Sequence, residues 1–259
     1  MTVRAGGIVT AGAEKRVIVT GAASGIGAAC VRAALDKGWR VCAVDINQPT
    51  AEGIPGDALP RLICAQADVT DSAACASAVD AAVRAFGGLD GLIHMAAVHS
   101  TGTWRDLDAA VMDRTLGVNV TGSFLMAQAC ARAMEACGGG AIVLASSGSM
   151  NVSGVGGHGR GGPAYVASKA AIVGLTRALA RSFAPIRVRV NAVSPGATRT
   201  AMTADYSEDA LVKVGERTLV GRIGEAREIA SVACFLVSHE SSYVIGDIVA
   251  VNGGGSFGL

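Results

Sequence analysis

The chain has 259 residues, 51% of them hydrophobic, enough to bury one large core. Its 22 Lys and Arg against 21 Asp and Glu leave a net charge of +1, which excludes the basic footprint that nucleic acid or an anionic membrane surface requires. Mean hydropathy is +0.44, yet the uncharged run Val17–Val31 holds three glycines and is shorter than the roughly 20 apolar residues of a membrane span.

Residues 1–14 lack the basic start and apolar run of a secretory signal and are read as an N-terminal tail ahead of one domain over 15–259. The seven cysteines are odd in number and form no CxxC pair, so reduced core thiols and a cytoplasmic location are expected. The four histidines show no HExxH spacing, and no metal site is expected.

Short β-branched runs alternate with alanine-rich segments of helical period. The first is Arg16–Thr20, followed by a helix from about Gly25 to Lys37, and Arg40–Asp45 is the second. Further strands are predicted at Arg61–Ala67, Gly91–Ala97, Ala141–Ser146, Val188–Val193 and Ile248–Asn252. Seven strands with helical crossovers predict an α/β fold, a doubly wound, seven-stranded parallel sheet of Rossmann type, with its ligand at the carboxyl ends of the strands.

The first crossover carries the first chemistry. In VIVTGAASGIGAAC the chain leaves the strand through Gly21 and Ser24 and enters the helix at Gly25, Ile26 and Gly27. Glycines there let the backbone approach a pyrophosphate, whose charge is favoured by the free N–H groups of the helix start. Asp45, 24 residues after Gly21 and at the end of the second strand, is placed to accept hydrogen bonds from a ribose, with Ile46 beside it. No arginine clamp for a 2′-phosphate occurs in Ala22–Ser24 or Ile46–Gln48, so NAD is expected over NADP, with Arg16 and Arg40 as the nearest cations that could change this.

Downstream, AYVASKAA sets Tyr165 four residues before Lys169, on one helix face and about 6 Å apart along its axis. Alone, the pair reads better as an exposed tyrosine packed on a lysine stem. Together with Thr20-Gly21-x-x-x-Gly25-Ile26-Gly27 it resembles the short-chain dehydrogenase/reductases in their compact single-domain form, over about Lys15 to Gly255. Asp68-Val69, Asn119 in GVNVTGSF, Ser146-Ser147, Pro195-Gly196 with Thr198 and Thr200, and VIGDIVAVNGG match the same family in the same order.

The resemblance implies an oxidoreductase that interconverts a secondary alcohol and a ketone with NAD. Tyr165 would transfer the proton, its pKa drawn below about 10 by Lys169 and an oxidised nicotinamide. Lys169 would also hold the nicotinamide ribose, Ser147 the substrate oxygen, and Asn119 a relay water. Ser146 competes with Ser147, and Asn119 reads equally as a polar helix residue bonded to backbone. The cofactor residues carried over are Gly21, Ser24, Gly25, Ile26, Gly27, Asp45, Ile46, Asp68, Val69, Ala96, Tyr165, Lys169, Pro195, Gly196, Thr198 and Thr200. A homotetramer is implied, packed through the helices around Asn119–Met134 and Tyr165–Phe183. The other readings are oxidation of a cyclic diol or reduction of a C=C bond on the same fold, and a catalytically idle dinucleotide-binding or scaffold protein.

Two departures stand out. His94-Met95-Ala96-Ala97 replaces the family's Asn-Asn-Ala-Gly, and a histidine could brace the central strands through only one nitrogen per tautomer. Ser147 and Tyr165 are 18 residues apart, separated by a glycine-rich loop that bears His158 and Arg160. That loop, residues just after Met95, and Ala197–Arg217 are expected to line the substrate pocket, with Trp104, Met202 and Tyr206 as candidate apolar contacts.

Overall fold

The computed structural model describes residues 14–152, 161–203 and 207–257. The first strand, β1 (Arg16–Thr20), is buried at every position after Arg16, as a strand covered on both faces must be. β2 (Arg40–Asp45), β3 (Leu62–Gln66), β4 (Gly91–His94), β5 (Gly140–Ala145) and β6 (Val188–Pro195) follow. β7 (Thr198–Arg199) and β8 (Gly224–Glu225) form a separate two-stranded pair, and β9 (Ile248–Val251) completes the main sheet. Its order is β3-β2-β1-β4-β5-β6-β9 and every pairing is parallel. The fold is the doubly wound, Rossmann-type sheet that the alternation of elements predicts.

The helices are α1 (Gly25–Asp36), α2 (Ser72–Phe86), α3 (Ala109–Leu116), α4 (Gly122–Ala136), α5 (Ser149–Val152), α6 (Pro163–Phe183), α7 (Glu208–Gly215) and α8 (Ala226–Val237). Strand side chains alternate between faces, so Val17 and Val19 meet α1 and α8 while Ile18 meets the layer of α2, α4 and α6. By the same alternation Thr20 and His94 share Ile18's face, side by side in the β1–β4 register.

β4 is shorter than its sequence suggests: it stops at His94, not Ala97. Beyond it, Ala96 N–H is taken by Thr20 Oγ1 at 3.3 Å and Val98 N–H by Asn119 Oδ1 at 2.8 Å. Side chains have replaced the ladder, which frees the segment after β4 to become part of a wall. Five of the cysteines are buried; Cys64 is half-buried, Cys137 is exposed, and all seven are free thiols. No described helix is long and apolar enough to cross a membrane.

Candidate active site

Strand order reverses between β1 and β4, and a cavity of about 1150 Å³ opens there at the carboxyl ends of the strands. One end of it is made by the turn from β1 into α1. Gly21 has φ 67°, and a Cβ on it would lie 2.8 Å from the Ala96 nitrogen across the switch point. A Cβ on Gly27 would collide with the Gly21 carbonyl, so helix and turn pack at backbone contact. Ser24, Gly25, Ile26 and Gly27 line the cavity, and α1 has neither a side-chain cap nor an acidic residue in its first turn. Its first N–H groups lack intrahelical partners, so this end is suited to an anion.

Asp45 and Ile46 line the same end. The Asp45 carboxylate accepts the backbone N–H groups of Ala23 and Asn47, each at 3.0 Å, which fix it between the glycine turn and the end of β2. Asp68 accepts Thr70 N–H and its hydroxyl, both at 2.8 Å, and Val69 packs under Gly122. Arg16 is spent on Asp90 at 2.7 Å and Arg40 on Glu14 at 2.8 Å. Each opens its strand, at the sheet edge opposite the cavity.

The other end is assembled from more distant segments. Tyr165 is 9% exposed and Lys169 is 3% exposed, which excludes the surface reading of the pair. Ser147 acts on the Tyr165 phenol, lowering its pKa, and accepts from Ser149 N–H at 3.2 Å. Ser146 turns inward instead and donates to the Lys169 carbonyl at 2.9 Å. Both serines line the cavity, and alternation at the end of β5 gives their hydroxyls different directions, that of Ser146 in the support of α6.

Lys169 Nζ lies 5.6 Å from the centre of the Tyr165 ring and donates to Ala145 O at 2.9 Å. Burial lowers the ammonium to about 8. The downward shift anticipated for Tyr165 is not what the chain alone produces: burial raises the phenol, and the Ser147 hydrogen bond opposes that rise.

Asn119 sits in a turn of π-helix, Gly117–Thr121, between α3 and α4. Its amide accepts from Val98 N–H and donates to Val98 O at 3.0 Å and to Ser168 Oγ at 2.9 Å. Both amide hydrogens are thus committed to the post-β4 segment and to α6. Neither Asn119 nor Lys169 lines the cavity, whereas Ala96, Pro195, Gly196, Thr198 and Thr200 do.

His94 is fully buried beneath this layer. Its Nδ1 is 2.9 Å from Thr20 Oγ1, and its Nε2 has no partner among the described residues. Thr20 Oγ1 also accepts Ala96 N–H, so one hydroxyl joins the His94 ring to the segment beyond β4. Burial, reinforced by the Lys169 charge, depresses His94 to about 3.

A family model described as Enoyl-(Acyl carrier protein) reductase matches residues 21–256. An uncharacterized short-chain type dehydrogenase/reductase of Sinorhizobium fredii is 37% identical over 247 residues, covering 93% of this chain and 96% of that one. The chain belongs to the short-chain dehydrogenase/reductase family. Among its relatives, cis-4-hydroxycyclohexanecarboxylate dehydrogenase of Sinomonas cyclohexanicum is 36% identical, covering 93% of this chain and 96% of that one. A solved short-chain type dehydrogenase/reductase from Mycobacterium marinum superposes with a TM-score of 0.85 at 30% identity, covering 94% of this chain and 96% of that one.

In this short-chain dehydrogenase/reductase the cavity wall also includes His99 and Arg217, which fall in the two segments expected to line the pocket, and Arg114, which no motif singles out. His99 stands five residues beyond the end of β4, and the sequence marks the segment but not the residue. Trp104 is 71% exposed, stacks with Arg105 and lines no part of the cavity, so it is not the apolar contact expected. Residues Gly154–His158 and Arg160 of the glycine-rich loop, Tyr206 and the Met202 side chain lie outside the described residues.

Proposed function

We propose that the protein is an NAD-dependent dehydrogenase that interconverts a secondary alcohol and a ketone. The observation that carries this is Ser147 and the buried Tyr165 together at one end of a cavity whose other end is the glycine turn and Asp45. The residues present fit a dinucleotide: backbone contact at Gly21 and Gly27 leaves room for a pyrophosphate, and the held carboxylate of Asp45 suits two ribose hydroxyls. When bound, the nicotinamide supplies the hydride acceptor for oxidation and the donor for reduction.

Ser147 holds the substrate oxygen beside the phenol. Tyr165 takes the hydroxyl proton as the carbinol is oxidised and returns it on reduction, a contribution on the order of 10²–10⁴-fold. Lys169 has two N–H donors beyond the one given to Ala145 O, and it holds the ribose while favouring the phenolate. Asn119 acts on this reading through position, clamping Val98 and Ser168 on either side of the site.

The description of the matching family model favours a second reading, reduction of a C=C bond conjugated to a carbonyl. A homotetramer and a cytoplasmic location remain our inferences, supported by the exposed Phe124 on α4 and by the free cysteines. The test is a panel of secondary alcohols, ketones and enones, followed at the reduced-nicotinamide absorbance with wild type and Tyr165→Phe. Alcohol-dependent NAD reduction that falls at least about 100-fold in the variant, with cofactor binding retained, is expected. Turnover of enones alone, or more than a tenth of kcat left in Tyr165→Phe, overturns the reading.

A further inference from the structure

His99 lies against the catalytic tyrosine and has no task in the chemistry above. Its ring stands perpendicular to that of Tyr165, with centroids 4.6 Å apart, and it forms part of the cavity wall. The segment that carries it is fixed in place, since Asn119 grips both the N–H and the carbonyl of the preceding residue, Val98. On its other side a Cβ on Gly161 would lie 2.7 Å from Tyr165 Cδ1 and 3.6 Å from His99 Nε2, so the loop backbone presses close to both rings. Among the described residues neither ring nitrogen has a hydrogen-bond partner, and the side chain is only half-buried.

We propose that His99 is a specificity-determining residue that hydrogen-bonds a second oxygen of the substrate, making this a dehydrogenase for vicinally oxygenated alcohols such as 1,2-diols and α-hydroxy ketones. The contact with Tyr165 sets the spacing. With the ring centroids 4.6 Å apart, the partner assigned to the imidazole is an oxygen on the carbon next to the one whose oxygen the phenol holds, at a hydrogen-bond length of about 2.8 Å. Burial and the nearby Lys169 charge lower the imidazole's proton affinity, so it is neutral at pH 7 and offers one donor and one acceptor. That complement matches a hydroxyl or a carbonyl better than a carboxylate. A buried site built to bond an oxygen rejects the analogue that lacks it, because its own polar group is then left unpaired.

This inference rests on the alcohol-dehydrogenase reading, and its test separates the two. The probes are cyclohexanol and cis- and trans-1,2-cyclohexanediol with NAD, using wild type, His99→Phe and His99→Gln. His99→Phe keeps a ring against Tyr165 without hydrogen-bonding atoms, and His99→Gln keeps a donor and an acceptor. The wild type is expected to favour one diol over cyclohexanol at least tenfold in kcat/KM. That ratio should fall at least tenfold in His99→Phe and stay within threefold in His99→Gln. An unchanged ratio in His99→Phe, or no wild-type preference for either diol, overturns the role of His99 while leaving the dehydrogenase reading intact. Absence of NAD reduction with all three alcohols overturns both. If His99→Phe fails to fold, the ratio in His99→Ala decides in the same way.

Discussion

At the glycine end of the cavity, Asp45 and Asp68 keep contact with solvent and are held by N–H and O–H groups close to them in the fold, within two residues in three of four cases. At the tyrosine end, Tyr165, Lys169 and His94 are buried, and burial is the largest influence on the proton affinity of each. On the proposed function, the contrast separates two kinds of work. A binding end needs groups held in one direction. A reacting end needs groups whose charged forms water does not hold, and desolvation moves all three towards their neutral forms, the Lys169 ammonium down to about 8.

The largest effect should come from breaking the reacting end at Lys169. Its pKa lies at about 8 folded against 10.5 in an exposed chain. The lowered value means that below pH 8 the charge is carried by both states and burial costs the folded one roughly 3 kcal/mol, a penalty that fades as pH rises from 8 towards 10.5. Lys169→Met should therefore lower kcat/KM at least about 100-fold and yet stabilise the protein by about 1 to 2 kcal/mol at pH 7, once the lost bond to Ala145 O is subtracted. Denaturant titration beside steady-state kinetics checks both halves. A variant that is inactive and also less stable would show that Lys169 holds the fold together.

Next in size is His94, which binds no substrate but shares the same desolvated layer. Its pKa of about 3 folded against 6.5 unfolded means that the unfolded chain takes up the proton first. Its stabilising contribution is complete above pH 6.5 and is lost as pH falls towards 3, by roughly 2 kcal/mol at pH 5 and at most roughly 5 kcal/mol. His94→Asn keeps a partner for Thr20 and cannot titrate. The stability difference between wild type and variant should therefore move in the variant's favour between pH 7.5 and pH 5, by about 2 kcal/mol in chemical denaturation. A difference independent of pH would mean that His94 is protonated in the folded protein or reaches solvent.

The two ends also differ in how far they can be read from the chain. β1, Gly21, α1 and Asp45 lie within thirty positions, and their geometry follows from backbone rules that glycines and strand ends announce. The sheet is legible for the same reason, as buried parallel strands are continuous apolar runs. Tyr165 and Lys169 are legible as a helical spacing, but their burial and the direction of the phenol's shift are not, because both depend on what packs above α6. Asn119's grip on Val98 joins residues 21 positions apart, and its bond to Ser168 spans 49. Those contacts end β4 at His94 and set His99 against Tyr165. No local pattern encodes them, and they arise only when three segments close on one another.

The smallest effect belongs to the binding end and concerns the choice between NAD and NADP. The Asp45 carboxylate is fixed by Ala23 and Asn47 N–H groups, so it cannot swing aside to admit a 2′-phosphate without giving up two hydrogen bonds. Two unit charges about 4 Å apart repel by about 4 kcal/mol at an effective dielectric of 20, and solvent at this open end reduces that substantially. Arg16 and Arg40 cannot offset it, since their ion pairs with Asp90 and Glu14 hold them at the opposite ends of β1 and β2. We therefore expect kcat/KM for NAD to exceed that for NADP at least tenfold, about 1.4 kcal/mol, and Asp45→Ala to bring the two near parity. The variant should lose the preference through better use of NADP as well as poorer use of NAD, because it removes both a hydrogen-bond acceptor and a repelling charge. Wild-type parity would instead identify Arg114, a basic residue in the cavity wall, as a partner for the phosphate. In that case Arg114→Ala should restore the preference for NAD that Asp45 alone was expected to impose.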